Sequence, residues 1–224
     1  MAKTGICNST TDDTIGLCEI YVADTKVPSY SYFYSSLKRT IKGRCSLLIH
    51  LTGGETDTGS ANSSSAEQKA DQSFPLIVIN GKEKISASPS TPWQTDLSRL
   101  LDNEIIAGKW KLELYLSSKQ SQEGEEIIDF SICNMEKTKK FIGSIVLWMA
   151  EMKTLGSGQK GCVAIKKLVE KKIKLSPSKM VGCYLPHQFP LPKMSGEKKY
   201  CIIGVVYASD FSVQAVGQEF VSTL

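Results

Sequence analysis

Few residues of this sequence have the type and spacing that enzymatic chemistry needs. Only two histidines occur, His50 and His187. His50 lies within an apolar stretch, which favours a structural role, whereas His187 follows a proline in a predicted loop. Cys183 and His187 are close enough in sequence to form a thiol–imidazole pair, but no nucleophile motif surrounds them. We therefore predict a protein that is not an enzyme and has no catalytic residues.

A glycine-rich run at 156–162, G-S-G-Q-K-G-C, has the glycines and the lysine of a phosphate-binding loop. A P-loop follows a strand and ends in Gly-Lys-Ser or Gly-Lys-Thr, whereas Gly161 follows Lys160 here. The pattern therefore favours a turn between two helices. A single phosphate or lipid headgroup could still bind beside Lys160, at the amino terminus of the second predicted helix.

The seven cysteines are irregularly spaced and form no C-x-x-C motif. This pattern predicts neither a disulfide framework nor a zinc site, so we expect buried thiols in a reducing compartment and no metal or cofactor. No apolar run reaches the roughly 20 residues that a membrane-spanning helix requires. The first seven residues also lack the apolar stretch of a signal peptide, so we expect a protein of the cytosol or nucleus.

Positive charge is concentrated in the last third of the chain. The net charge is only +4, but the segment 137–199 contains 14 lysines against three glutamates. Such a density attracts phosphate, either in nucleic acid or in acidic lipid headgroups. The densest part, 160–174, is predicted to form a basic helix face that binds an anionic surface. Its lysines are Lys160, Lys166, Lys167, Lys171, Lys172 and Lys174.

Hydrophobic periodicity predicts an α+β fold, an antiparallel sheet with two or three helices packed on it. Asn80-Gly81 is a strong signal for a hairpin turn. Strands are predicted at 17–23, 45–51, 74–79, 82–86, 110–117, 127–133, 180–185, 200–207 and 211–216, and helical patterns at 30–41, 95–101, 134–153 and 162–174.

The predicted organisation is a loose tail at 1–14 followed by one α+β domain at 15–224. Residues 52–73 are rich in Gly, Ser, Thr, Asp and Glu and have no large apolar side chain, which predicts a flexible insertion. A change of composition suggests a further boundary near 105–110.

From 110 to 207 the sequence resembles the core of rhabdovirus matrix proteins. The similarity consists of a strand, a predicted helix containing I-V-L-W-M at 145–149, a Gly/Lys turn and a basic helix containing A-I-K-K-L-V at 164–169. Y-L-P-H at 184–187, a proline-containing loop and a final strand follow. The lysine-rich tail and P-P-x-Y motif of many such proteins are absent, so the similarity is to a plant-infecting or divergent member.

This resemblance implies a non-enzymatic viral structural protein, located in the virion and in the host cytoplasm or nucleus. Such a protein self-associates, binds acidic phospholipid membrane peripherally through its lysines, and condenses the viral ribonucleoprotein during assembly. The basic charge alone is equally typical of an RNA-binding capsid, movement or silencing-suppressor protein. A small enzyme with an unmarked pocket is the third hypothesis.

Overall fold

A computed structural model of the chain describes residues 16–22, 30–41, 45–51, 75–88, 90–107, 112–121, 125–134, 139–154, 160–176, 182–192 and 198–221. The predicted tail 1–14 and the predicted insertion 52–73 lie outside these ranges. In chain order the described elements are β1 (Gly16–Val22), α1 (Tyr30–Ile41), β2 (Cys45–Leu51), β3 (Leu76–Ile79), β4 (Glu83–Ser86), α2 (Trp93–Ala107), β5 (Leu112–Gln120), β6 (Glu126–Asn134), β7 (Phe141–Thr154), β8 (Lys160–Leu175), β9 (Gly182–Pro190), β10 (Tyr200–Ala208) and β11 (Val213–Val221).

The fold is mostly β, and the predicted antiparallel sheet covered by two or three helices is wrong. The segments 134–153 and 162–174, which were predicted to be helices, form the strands β7 and β8. Both contain consecutive apolar and β-branched residues. In such a run, an amphipathic helix and a strand that is buried on both faces have the same sequence pattern. Pairing with neighbouring strands of the sheet makes these segments strands.

The chain divides into two compact units. The first comprises 1–109 and 152–166, and the second comprises 110–151 and 167–224. The long strands β7 and β8 are therefore each divided between the two units.

The sheet of the first unit has the strand order β8-β2-β1-β3-β4. Strand β2 is parallel to both β1 and β8, whereas β3 runs antiparallel to β1 and to β4. The order β4-β3-β1-β2, with only β3 reversed, α1 after β1 and α2 after β4, is the topology of thioredoxin-like folds. The sheet is thus mixed rather than antiparallel.

Both helices of the first unit pack on one face of this sheet. On β1, Cys18, Ile20 and Val22 alternate towards the helices, because side chains two residues apart in a strand share a face. They form one buried cluster with residues of α1 and α2, including Phe33, Leu37, Trp93, Leu97 and Leu101.

The predicted turn between β3 and β4 is confirmed. Asn80 and Gly81 have φ values of 50° and 76° and are the two left-handed central residues of a β-turn, which is closed by a 3.1 Å hydrogen bond from the N–H of Lys82 to the carbonyl of Ile79. The Asn80 side chain is buried, and its Oδ1 accepts a hydrogen bond of 3.0 Å from the backbone N–H of Leu17. Asn80 therefore also fixes the start of β1.

The described part of the second unit consists of strands only. One sheet has the order β5-β6-β9, and the strands β11, β10, β7 and β8 are neighbours in that order. The predicted alternation along β5 is confirmed, since Leu112 is buried while Glu113 and Tyr115 are exposed. Leu114 reaches Gly204 of β10 and Gly217 of β11, so β5 packs directly on these strands.

Six side chains were predicted to be buried in this part of the core. Leu112 and Ile145 are buried, whereas Leu114, Phe141 and Trp148 are partly exposed. The sixth, Trp110, lies outside the described residues. Trp148 lies on a strand rather than on the predicted helix.

Candidate functional site

The predicted basic helix face does not exist, because its lysines lie on the strand β8. Successive side chains of a strand point to opposite faces, so the pleat separates Lys172 and Lys174 from Lys167 and Lys171. Lys160 is the first residue of β8, and its side chain lies outside the described set. Together with Lys166 it belongs to the first unit, whereas the other four lysines belong to the second.

One of the predicted lysines is occupied by a neighbouring carboxylate. The Nζ atom of Lys167 lies 2.6 Å from Oε2 of Glu170, and only 14% of the Lys167 side chain is exposed. An ion pair held in this way leaves Lys167 little capacity to bind an external anion. By contrast, Lys171, Lys172 and Lys174 are all exposed.

The end of β8 meets the start of β7. The two strands are neighbours, and only the five residues 155–159 join them, which permits an antiparallel pair and not a parallel one. In that arrangement Lys140, just before β7, comes beside Lys174. The hydrogen bond and the positive charge of Lys174 accordingly lower the pKa of Lys140 below its usual value.

A buried amide positions this end of β7. Asn134 is 4% exposed, and its Nδ2 donates a hydrogen bond of 3.0 Å to the backbone carbonyl of Lys139. Asn134 was predicted to cap a helix, but it instead fixes the chain that leads into β7. Four exposed lysines lie at this end of the two strands, and we call them the strand-end lysine cluster: Lys139, Lys140, Lys172 and Lys174.

The cluster lacks the counter-charges that other lysines have. Lys119 pairs with Asp129 at 2.6 Å, and Lys198 pairs with Glu151 at 3.2 Å. Within the described ranges no carboxylate forms an ion pair with a member of the strand-end lysine cluster. Its positive charge is therefore available to a bound anion.

Sequence reasoning missed two of the four lysines. Lys139 and Lys140 were included in the charge excess of the segment 137–199, but were assigned to the predicted helix 134–153, which does not form. A predicted β-hairpin at 141–175 would have placed them beside the end of β8. In a hairpin of two strands of similar length, the start of the first strand lies beside the end of the second.

A second group of polar side chains lies on the first unit, on the sheet face opposite the helices. Glu19 is buried, and its Oε1 lies 3.0 Å from Nε2 of His50 and accepts a 3.4 Å hydrogen bond from the hydroxyl of Tyr21. The rings of Tyr21 and His50 stack with centroids 4.6 Å apart. These contacts tie β1 to β2, and they support the structural role predicted for His50.

This network predicts a stability that falls in alkali. Burial, and then the charge and hydrogen bond of Glu19, raise the pKa of Tyr21 above its ordinary value of about 10. Above pH ~10 the unfolded chain loses this proton while the folded chain keeps it. The stabilisation is thus complete below that pH, and above it falls by up to about 1.4 kcal/mol per pH unit. Urea unfolding between pH 8 and 11 should show a steeper alkaline decline for the parent than for Tyr21→Phe, and parallel curves would contradict the prediction.

The Cys183–His187 pair considered above lies on β9, and both side chains fall outside the described set. The backbone register places Cys183 opposite Cys133 of β6. Cys133 is disulfide-bonded, so the expectation of buried thiols throughout is wrong at this position. Cys18, Cys162 and Cys201 are buried, as expected.

The described residues contain no group of three or more His, Cys, Asp or Glu side chains that could hold a metal ion. None of the helices in this part of the chain is long and apolar enough to cross a membrane.

Comparison with solved structures gives a likeness that extends over most of the chain. HBP35 of Porphyromonas gingivalis superposes with a TM-score of 0.55 at 11% identity, over 91% of this chain and 74% of that one. A β-glucosidase, DesR from Streptomyces venezuelae, matches 50% of this chain and 15% of its own with a TM-score of 0.31 at 7% identity. No protein-family model matches the sequence, and the search of curated proteins found no match.

At 11% identity the likeness to HBP35 concerns the fold alone. The likeness to the glycosidase carries no argument about this chain. The helices on which the matrix-protein resemblance was partly based are the strands β7 and β8, so that resemblance now rests mainly on Y-L-P-H at 184–187.

Proposed function

We propose that this protein is a non-enzymatic binding protein that attaches to phosphate-bearing surfaces through the strand-end lysine cluster. The observation that carries the proposal is the uncompensated charge at the junction of β7 and β8. Four exposed lysines lie there, none of them paired with a carboxylate of the described residues, and Lys140 lies beside Lys174.

Like charges at contact distance repel each other, and a bound anion relieves that repulsion. The effect is favourable for binding because Lys140 and Lys174 already lie beside each other before the anion arrives. Each lysine close to an acidic surface strengthens attachment about fivefold. Four such lysines therefore support reversible attachment that weakens steeply as salt shortens the screening length to about 8 Å.

The first unit supports the non-enzymatic part of this proposal. In a cytosolic βαβ arrangement, redox chemistry of the thioredoxin type uses a C-x-x-C motif. No cysteine occurs between Cys18 and Cys45, so the chain leading from β1 into α1 cannot supply such a dithiol. This absence of a thioredoxin-type dithiol is what supports a binding role over redox chemistry for the first unit.

The viral role belongs to the same proposal. In a matrix-like protein, attachment through the cluster would be the membrane-facing step of virus assembly, in the virion and beneath the membrane of the host cell. Self-association and condensation of viral ribonucleoprotein would use other surfaces. The RNA-binding alternative requires the same lysines to bind phosphodiester groups.

The test is a charge reversal at the cluster. The double variant Lys172→Glu/Lys174→Glu should bind vesicles that contain phosphatidylserine at least about 30-fold more weakly than the parent, because two favourable charges become two repulsive ones. Co-sedimentation with vesicles and an RNA gel shift, each at low and physiological salt, measure the two anionic partners side by side.

The matched control is Lys38→Glu/Lys84→Glu, which makes the same change of charge at two exposed lysines of the first unit. It should lose far less affinity than the cluster variant. If the folded cluster variant binds both vesicles and RNA as well as the parent does, the proposed function is wrong.

A further inference from the structure

Two large apolar side chains are exposed next to the strand-end lysine cluster. Ile142 follows Lys140 by two residues and is 56% exposed, and Phe211, in the turn between β10 and β11, is 60% exposed. We call this pair the apolar tip. Only one further large hydrophobic side chain of the described residues, Tyr115 on β5, is comparably exposed.

The two members of the apolar tip are held at the same end of the second unit. Within the turn, the N–H of Phe211 donates to the carbonyl of Ala208 at 3.0 Å. The hydroxyl of Ser209 donates to the carbonyl of Ile142 at 3.1 Å, which connects the turn to the start of β7. The next residue, Gly143, allows this close approach, since a Cβ atom there would overlap the backbone carbonyl of Tyr207.

Phe211 occupies this turn at a conformational cost. Its φ of 63° lies in the left-handed region, which bulky side chains rarely adopt and where Gly or Asn would be less strained. An exposed phenyl ring recovers little of that cost by packing within the protein. The ring would therefore gain free energy if it were buried in an apolar partner outside the chain.

We infer that this end of the second unit docks on an acidic phospholipid membrane, with the apolar tip inserted at the headgroup–acyl boundary and the strand-end lysine cluster on the lipid phosphates. This inference rests on the proposed function and specifies its partner. Stable peripheral attachment commonly combines an apolar contribution with a basic patch, and both are present here side by side.

The apolar tip distinguishes a membrane from RNA as the partner. Single-stranded RNA is bound on stacking platforms, where flat aromatic rings face successive bases. Ile142 has no aromatic face, and Phe211 lies at the end of a hairpin rather than on the face of a sheet. An aliphatic and an aromatic side chain together gain more free energy from burial among acyl chains than from contact with RNA bases.

The carboxylate of Asp210 lies at this end of the second unit. Asp210 precedes Phe211, and its Oδ1 accepts hydrogen bonds from the backbone N–H of Ser212 at 3.0 Å and from the Ser212 hydroxyl at 2.5 Å. Because the acidic group is turned into the hairpin by these donors, the cost of bringing it near anionic headgroups is reduced.

The experiment removes the apolar tip and keeps every lysine. The double variant Ile142→Ser/Phe211→Ser should partition into vesicles of phosphatidylcholine and phosphatidylserine about 100-fold more weakly than the parent. Its affinity for RNA in a gel shift should remain within about twofold of the parent, since no phosphate-binding charge has changed. Tyr115→Ser removes an equally exposed aromatic side chain far from the cluster in sequence and should leave vesicle binding unchanged.

A second measurement keeps the inference testable if the serine variant folds poorly. Phe211→Trp keeps an aromatic side chain at the tip. The emission that it adds to that of the parent's three tryptophans should shift to the blue on acidic vesicles and be quenched by acyl chains carrying bromine, whereas the parent should show neither change. Absence of quenching while the protein is bound would overturn insertion.

The two proposals fail in different ways. If Lys172→Glu/Lys174→Glu weakens vesicle binding but the folded Ile142→Ser/Phe211→Ser variant binds as the parent does, the lysines bind and the tip does not insert. If the tip variant loses RNA and vesicles equally, the membrane-specific inference is wrong. If neither variant weakens binding to any anionic surface, the proposed function fails as well.

Discussion

Truncation of Trp93 to alanine is expected to lower the free energy of unfolding by about 3–5 kcal/mol. The Trp93 side chain is 5% exposed at the start of α2, and its ring centroid lies 5.2 Å from that of Phe33 on α1. Removing the indole opens a cavity between the two helices and loses this aromatic contact. The lost burial of apolar surface and the lost packing both lower the free energy of unfolding.

Urea unfolding followed by circular dichroism measures this effect. The control is Thr95→Ala, an exposed position in the same helix, which should change the free energy of unfolding by less than about 0.5 kcal/mol. A loss below about 1 kcal/mol for Trp93→Ala would show that the two helices do not depend on this side chain for their packing.

Truncation of Leu147 to alanine in the second unit is expected to cost about 2–5 kcal/mol. Leu147 is fully buried on β7, and its register partner on β10 is Gly204, which has no side chain. A Cβ atom at Gly204 would lie 3.0 Å from Cδ2 of Leu147 and 2.8 Å from Cδ2 of Leu114. The leucines therefore fill the space that this glycine leaves open.

This geometry predicts that the two positions are coupled. Gly204→Ala alone should destabilise the protein by crowding both leucines, but should cost less when Leu147→Ala has already removed one of them. A double-mutant cycle in urea should give a coupling energy of about 0.5–3 kcal/mol. Additive effects would mean that Leu147 does not pack over Gly204.

Local sequence signals predicted the first unit well. The bounds of α1 and β2 agree with the predicted segments 30–41 and 45–51, and the turn at Asn80-Gly81 has the backbone that these residues favour. Helix spacing, strand composition and turn chemistry act over a few residues and were unambiguous here. The parallel pairing of β2 with β8 joins residues far apart in sequence, and no local signal indicates it.

The second unit shows where periodicity fails. The run Ile145–Leu147 is apolar at three successive positions, all of them buried, so it contains neither a clear two-residue nor a clear helical period. At 14 and 16 residues, β7 and β8 also exceed the usual five or six residues of a strand, which favoured the helix interpretation.

Proline misled the prediction of β9, which was expected to end at 185 before a proline-rich loop. Instead the strand continues through Pro186 to Pro190. Strand β9 lies at the edge of its sheet, where one row of N–H groups needs no partner within the sheet, so proline is tolerated.

The candidate site was predictable in location but not in geometry. The lysine density between 137 and 199 indicated a cationic surface, yet which lysines meet depends on the pairing of β7 with β8. Phe211 was predicted to begin a strand, and its exposure in a turn follows only from the hairpin between β10 and β11.

The discontinuity of the first unit has a consequence for synthesis on the ribosome. Its sheet gains the strand β8 through the parallel pairs Leu48–Cys162 and Ile49–Val163, which exist only after β5, β6 and β7 have been translated. Until then the nascent chain presents β2 as an open edge, the kind of surface on which other chains nucleate aggregation. A chaperone that holds this edge during elongation would therefore raise the yield of the protein, and an expressed fragment that stops at residue 109 would retain the open edge permanently.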